Sequence, residues 1–314
     1  MTSGGDAAGM NPAVKSAIEY SRSLGYKPFL VYDGLRGLID NNIKVAASDF
    51  TLGIIHRGGT ILRSSRSKRF FEYDSRLQAY KNLKHHGITK LIVIGGDGSF
   101  RALNQFYNDF KVPFAGIPAT IDNDIPGTDY CLGVDTALNM IRNNVDSIRD
   151  TANSFNRAFV VETMGRHCGY LAMASAVTSG ASICLVPELE YDLDSIGKRL
   201  QPQIANGRNF LIAIVAEGCN MSDYLTRWIN DTLKMDARLT ILGHIQRGGS
   251  PTVRDRLMAS KFAIAAVDSL HRGETNNIMV YRSGDFGTLP IHRVADSPVP
   301  VDPELISMCK MLSR

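Results

Sequence analysis

The residues best equipped for chemistry lie in Pro118-Ala119-Thr120-Ile121-Asp122-Asn123-Asp124, where two carboxylates, a hydroxyl and an amide follow the apolar run 112–117. A strand ending in such a cluster delivers its polar groups to the carboxyl edge of a sheet, where open α/β folds bind ligands. Taken alone, the cluster reads more simply as a polar turn, because Asp and Asn bond readily to nearby backbone. A second group, Gly95-Gly96-Asp97-Gly98-Ser99, follows the β-rich run 90–94 and precedes a helical stretch ending near Phe110. Strand, glycines with an acid, then helix is a phosphate-binding order, with backbone N–H groups as donors and Asp97 available to Mg²⁺. Two further segments could meet anions. Gly4 and Gly5 precede the helix-start signal Asn11-Pro12. Arg57-Gly58-Gly59, with Arg63, Arg66, Lys68 and Arg69, forms either a solvated loop or a clamp of paired phosphate donors. The first segment is not a Walker loop, since Met10-Asn11 stands where Lys-Ser/Thr would follow the glycines.

Strands must end at these groups for them to meet. Residues 27–32, 90–94, 112–117, 158–161, 183–186, 210–215 and 238–242 read as strands. Helical periodicity covers 12–24, 71–86, 135–150 and 168–177, with further helices near 192–205, 221–233 and 252–270. Residues 33–37 read as a loop. Alternation of short apolar strands with helices argues for parallel sheets in an α/β fold. More polar groups then fall at strand ends: Met164-Gly165-Arg166, Glu217-Gly218, and Gly243-His244-Ile245-Gln246-Arg247-Gly248-Gly249-Ser250-Pro251. A phosphate loop of the Gly4-Gly5 sort normally follows a strand, and nothing precedes Met1 to form one. Ser297-Pro298-Val299-Pro300 marks a turn into a C-terminal helix.

A chain of 314 residues exceeds the size at which one core usually keeps growing, so two lobes are expected. Hydrophobic content of 44% and charged content of 21% are those of an ordinary globular protein. A net charge of +4 is too mild for a nucleic-acid binder. The five cysteines are odd in number and show no C-x-x-C, which fits reduced thiols in a cytoplasmic protein. No secretory leader or apolar run of membrane-spanning length is present in the sequence, so no membrane association is expected.

Gly4-Gly5-Asp6, the G-G-D-G cluster, T-I-D-N-D, M-G-R and G-H-I-Q-R-G-G-S-P together resemble the 6-phosphofructokinase family, specifically its single-length bacterial ATP-dependent type. The resemblance runs in order along essentially the whole chain. G-G-D-G alone is weak, since lipid and NAD kinases use similar clusters; the combination is specific. It implies transfer of the γ-phosphoryl group of Mg·ATP to the 1-hydroxyl of fructose 6-phosphate, giving fructose 1,6-bisphosphate. By resemblance, Asp122 takes the proton of the attacking hydroxyl, and Thr120 and Arg166 hold the transferring phosphoryl. Asp97 and Asp124 serve Mg²⁺, while Gly5, Arg66, Gly95, Gly96, Gly98 and Ser99 meet the nucleotide. Met164, Gly165, Glu217, His244 and Arg247 surround the sugar phosphate. Arg157 and Arg238 match arginines that reach a neighbouring subunit's site, which implies a homo-oligomer, expected to be a tetramer. Without the resemblance, Met164 reads as core, His244 as a satisfied histidine and Glu217 as a helix start.

The same resemblance implies the phosphofructokinase fold of two lobes, each a mainly parallel sheet flanked by helices. Residues 1–133 with 246–296 would bind ATP, and 134–245 with 297–314 the sugar phosphate. Two alternatives are a non-catalytic effector-binding homologue and a pyrophosphate-dependent enzyme. Pyrophosphate-dependent relatives replace the last glycine of G-G-D-G by Asp and carry Lys before T-I-D-N-D; this chain has Gly98 and Ala119 there, which favours ATP. Arg149 and Arg208 match parts of the family's effector pocket. Glu19 stands where an arginine is usual and Ser182 where a glutamate is usual, so ADP activation is expected to be weak, absent or differently built.

Overall fold

Apolar runs bounded by glycine or proline become strands, and the periodic segments between them become helices, in the computed structural model, which describes residues 1–295 and 302–312. The turn expected at 297–300 lies outside the described residues. The chain begins β1 (Thr2–Ser3), α1 (Met10–Ser23), β2 (Phe29–Val31), α2 (Gly34–Ile39) and β3 (Ile43–Val45). It continues through α3 (Tyr73–His85), β4 (Leu91–Gly95), α4 (Asp97–Phe110), β5 (Phe114–Pro118) and α5 (Val134–Phe155). Next come β6 (Ala158–Thr163), α6 (Tyr170–Ser179), β7 (Ile183–Leu185), α7 (Leu193–Ala205), β8 (Leu211–Ala216), α8 (Ser222–Trp228) and β9 (Ala237–Ile241). The last elements are α9 (Val253–His271), β10 (Asn277–Arg282), β11 (Asp285–Pro290), α10 (Ile291–Ala295) and α11 (Pro303–Lys310).

Contacts divide the chain into two units. The first takes Met1–Thr136 and the described residues from Arg247 to Ala295; the second takes Ala137–Gln246 and 302–312. In the first unit the sheet order is β1-β4-β5-β10-β11, parallel except for the β10–β11 hairpin, and β2 with β3 form a separate antiparallel pair. The register matters for function. Ser3 lies opposite Gly95 and Gly95 opposite Pro118, so three of the sequence's polar clusters begin in one row across adjacent strands. Val93, Ala115, Ile117 and Ile278 of this sheet are fully buried, as are Phe100 and Phe106 of α4 and Phe262 of α9. Such two-sided burial explains why these strands read as continuous apolar runs.

The second unit holds a four-stranded parallel sheet in the order β7-β8-β6-β9. Ala158, Val160, Leu211, Ala213 and Val215 pack with Ile196 and Leu200 of α7 and Leu225 of α8. Thr163 pairs with Ala216, so Met164 and Glu217 leave neighbouring strand ends.

Three expectations change. A strand does precede the first glycine loop, as the two-residue β1. Residues 33–37 are mostly helical, because Leu35, Leu38 and Ile39 bury one face of α2. The β10–β11 hairpin was not foreseen; Ser283 and Gly284, both at positive φ, close it as a two-residue turn whose twist suits paired strands.

Candidate active site

A cavity of 370 Å³ in the first unit is lined by Gly4, Gly5, Arg66, Asp97, Gly98, Thr120, Asp122, Asp124 and Arg247, among others. The shared row of Ser3, Gly95 and Pro118 explains why these residues meet. Close approach fixes Gly95: a Cβ there would lie 2.5 Å from the Ser3 carbonyl oxygen and 3.0 Å from Ser99 Oγ. Ser99 Oγ in turn donates to Ser3 Oγ at 2.9 Å. Asp97, Gly98 and Ser99 form the first turn of α4, so the helix's positive end and first amides lie beside the cavity, where an anion is stabilised. A Cβ at Gly98 would meet nothing within 4 Å, so the cavity is open at that point.

The basic segment is anchored rather than loose. Ser64 Oγ donates to the Gly4 carbonyl at 2.7 Å and Ser65 Oγ to that of Asp33 at 2.6 Å. Asn11 is not a helix cap. It lies buried inside α1, where Nδ2 donates to the carbonyls of Arg57 (2.9 Å) and Gly58 (3.1 Å) and Oδ1 accepts from Ile61 N (2.7 Å). Arg66 and Lys68 thereby reach the cavity wall. Arg247, expected beside the sugar phosphate, lies with the first glycine loop, and its Nη1 donates to the Asp6 carbonyl at 3.1 Å.

Beyond β5, the Thr120 hydroxyl accepts from Asp122 N at 3.3 Å. Burial raises the Asp124 carboxyl above its ordinary range, and the nearby Asp97 charge adds to this, against hydrogen bonds and Arg247 that pull it down. Asp124 Oδ1 is buried without a hydrogen-bond partner. A buried carboxylate oxygen left unpaired beside a second carboxylate suits a divalent cation. Asp97 already pairs with Arg101 at 3.0 Å, so Asp124 is the more available of the two acids. Among the described residues no three His, Cys, Asp or Glu side chains converge. That donor set fits Mg²⁺, which takes one or two carboxylates together with phosphate oxygens and water.

In the second unit, the Met164 amide donates to Gln246 Oε1 at 3.2 Å and the Gly165 amide to Glu217 Oε1 at 3.4 Å. These bonds gather Met164, Gly165, Arg166 and Glu217 at the ends of β6 and β8. His244 follows β9 in an exposed turn. Arg157 Nε and Arg238 Nη2 both pair with Asp236, at 2.7 Å and 3.1 Å. Asp236 was missed in the sequence, although an acid at a strand start between two candidate arginines is a usable signal. Arg208 donates to Ser182 Oγ and Arg149 to the Ser179 carbonyl, so the two arginines matched to the effector pocket are both engaged by the chain itself.

The phosphofructokinase family profile matches residues 1–270. An ATP-dependent 6-phosphofructokinase of Wolinella succinogenes is 49% identical over 99% of this chain and 97% of its own. One from Sulfurimonas denitrificans is 50% identical over 99% of this chain and 98% of its own. The chain belongs to the phosphofructokinase family. Its fold also matches the phosphofructokinase of Saccharomyces cerevisiae, with a TM-score of 0.89 and 30% identity over 99% of this chain. The chain spans 46% of that yeast chain. A pyrophosphate-dependent phosphofructokinase from Marinobacter aquaeolei shares the fold at a TM-score of 0.84 and 20% identity. The α/β architecture of two units, each built on a mainly parallel sheet, is thus the phosphofructokinase fold. No disulfide forms among the five cysteines, and no described helix is long and apolar enough to cross a membrane.

Proposed function

We propose that this chain moves the γ-phosphoryl group of ATP to the 1-hydroxyl of fructose 6-phosphate, yielding fructose 1,6-bisphosphate and ADP in glycolysis. The observation that carries the reading is the single row Ser3–Gly95–Pro118, which gathers both glycine loops and T-I-D-N-D around one cavity. Likeness to curated ATP-dependent enzymes over nearly the full length supports it. The first unit is the nucleotide lobe. Gly4, Gly5, Arg66 and the first turn of α4 cradle phosphates, chiefly through backbone amides and one guanidinium. The second unit is the sugar-phosphate lobe, where Met164, Gly165, Arg166, Glu217 and His244 bind the acceptor.

Phosphoryl transfer asks for positioning and charge neutralisation more than covalent chemistry. Asp122 accepts the proton of the sugar hydroxyl as that oxygen attacks. Thr120 orients the phosphoryl group, with Arg247 at the wall nearest Gly5 adding positive charge. Asp124, with Asp97 beside it, would hold Mg²⁺, which supplies charge neutralisation on the ATP phosphates. Arg157 and Arg238, fixed by Asp236, would serve a neighbouring subunit's sugar phosphate in a homotetramer working in the cytoplasm. Glu19 and Ser182 stand where the family's effector pocket usually carries an arginine and a glutamate, so ADP activation is weak, absent or differently built.

ATP is favoured over pyrophosphate because Gly98 leaves open space for the α-phosphate and Ala119 is buried and uncharged. The test is a coupled assay with fructose 6-phosphate, Mg²⁺ and either donor. Turnover with ATP is expected. Turnover with pyrophosphate alone overturns the donor, and tight sugar-phosphate binding with no turnover identifies a non-catalytic homologue.

A further inference from the structure

Asn123 separates the two carboxylates and carries none of the chemistry assigned above. Its backbone is left-handed, at φ 51, a region Asn tolerates better than most residues. It is also buried, at 8% exposure, so its amide must find partners inside the protein. Both ends do. Oδ1 accepts from Cys131 N at 2.9 Å, and Nδ2 donates to the Asp129 carbonyl at 3.2 Å.

The segment it grips is itself held from three sides. Asp129 N donates to the Tyr281 carbonyl of β10 at 2.7 Å, and Leu132 N donates to the Pro118 carbonyl at the end of β5 at 2.9 Å. The third hold is Asp255 in α9, fully buried, which accepts from Tyr130 Oη and Gly133 N at 2.7 Å each and from Thr136 N at 2.8 Å. Residues 119–132 therefore form a closed loop: the Pro118–Leu132 bond closes its base, and the Asn123 side chain crosses its middle. Asp122 and Asp124 flank that crossing point.

We propose that Asn123 is a positioning residue for phosphoryl transfer, its side chain bracing the 120–124 turn against the 129–131 segment and so fixing Asp122 and Asp124 relative to each other. The proposal rests on the assignment of Asp122 made above. Two properties of Asn123 are separable. A left-handed backbone is supplied equally well by glycine, whereas the brace needs an amide with one acceptor and one donor.

Asn123→Gly keeps the first and removes the second. Its kcat is expected to fall about 10²-fold, the scale of an ångström-sized misplacement, while KM for ATP and for fructose 6-phosphate stays within about 3-fold. Asp122→Asn and the double variant complete a cycle. If the brace acts through Asp122, adding Asn123→Gly to Asp122→Asn changes kcat by less than about 3-fold. Wild-type kcat in Asn123→Gly, full additivity in the double variant, or loss of the folded state in thermal melting of Asn123→Gly would each overturn the proposal. An Asp122→Asn enzyme with normal turnover fails differently: it removes the assignment of the base on which the inference stands.

Discussion

Gly218 follows β8 in the turn that carries Glu217, and its amide donates to the Gly165 carbonyl at 3.2 Å. A Cβ at this position would lie 2.2 Å from the Arg166 carbonyl oxygen and 2.9 Å from both Arg166 C and the Gly165 oxygen. All three atoms are backbone, so no side chain can swing aside. Restoring ordinary contact in Gly218→Ala requires the Met164–Gly165–Arg166 turn to retreat by about 1 Å, a displacement able to cost about 10²-fold when it moves a substrate-positioning group. That equals about 2.7 kcal/mol of transition-state stabilisation. kcat/KM for fructose 6-phosphate should fall by this factor, whereas ADP affinity measured by titration should not change, because the cavity proposed to hold the nucleotide is lined by residues of the other unit. Gly287→Ala is the control, since its added Cβ meets only Val280 at an ordinary 3.7 Å. A Gly218→Ala enzyme within about 3-fold of wild type, or one that loses nucleotide affinity in parallel, refutes the reasoning.

Asp122→Asn should lower kcat by about 10²–10⁴-fold, the usual range for loss of a general base, with fructose 6-phosphate binding retained by titration. Asp124 gives a pH signature. Burial raises its folded-state pKa above the unfolded value, so the ionised side chain costs stability above the raised pKa, and that cost fades as pH falls towards protonation. In metal-free melting, Asp124→Asn should therefore be the more stable protein at pH 8, by on the order of 1 kcal/mol, with the gap closing on acidification. A gap that widens towards acid contradicts the assignment, and so does full Mg²⁺-dependent activity in the variant.

The polar clusters were legible because they sit where apolar runs stop. A parallel strand covered on both faces cannot continue through Gly95-Gly96-Asp97 or Thr120-Ile121-Asp122. What could not be read was register. Nothing in the order of residues says that Ser3, Gly95 and Pro118 share a row, yet that row assembles the cavity. Asn11 shows the same limit at the level of one side chain. Local rules place it at a helix start, while its actual partners lie 46 to 50 positions away. Asp255 and Asp236 were passed over because a lone acid carries no pattern until its donors are known. Gly98 shows the limit from the other side: a glycine in the sequence does not say whether space or close packing surrounds it, and only the fold shows that a Cβ there would meet nothing within 4 Å while one at Gly95 would strike the Ser3 carbonyl.

The way the chain divides between its two units also sets an order of assembly. The second unit's sheet comes from one continuous stretch, β6 to β9, and every strand it needs has been synthesised by residue 241. In the first unit β5 lies between β4 and β10, and β10 does not exist until residue 282 has been made. Until then the flank of β5 that awaits β10 stays unpaired, a state prone to adhesion with other chains. The 119–132 loop is anchored on this late-arriving material too, through Tyr281 and Asp255. Synthesis thus leaves the 119–132 loop without its partners until β10 has been made, and a ribosome stalled before residue 255 would carry a nascent chain in which that loop lacks the Asp255 tether.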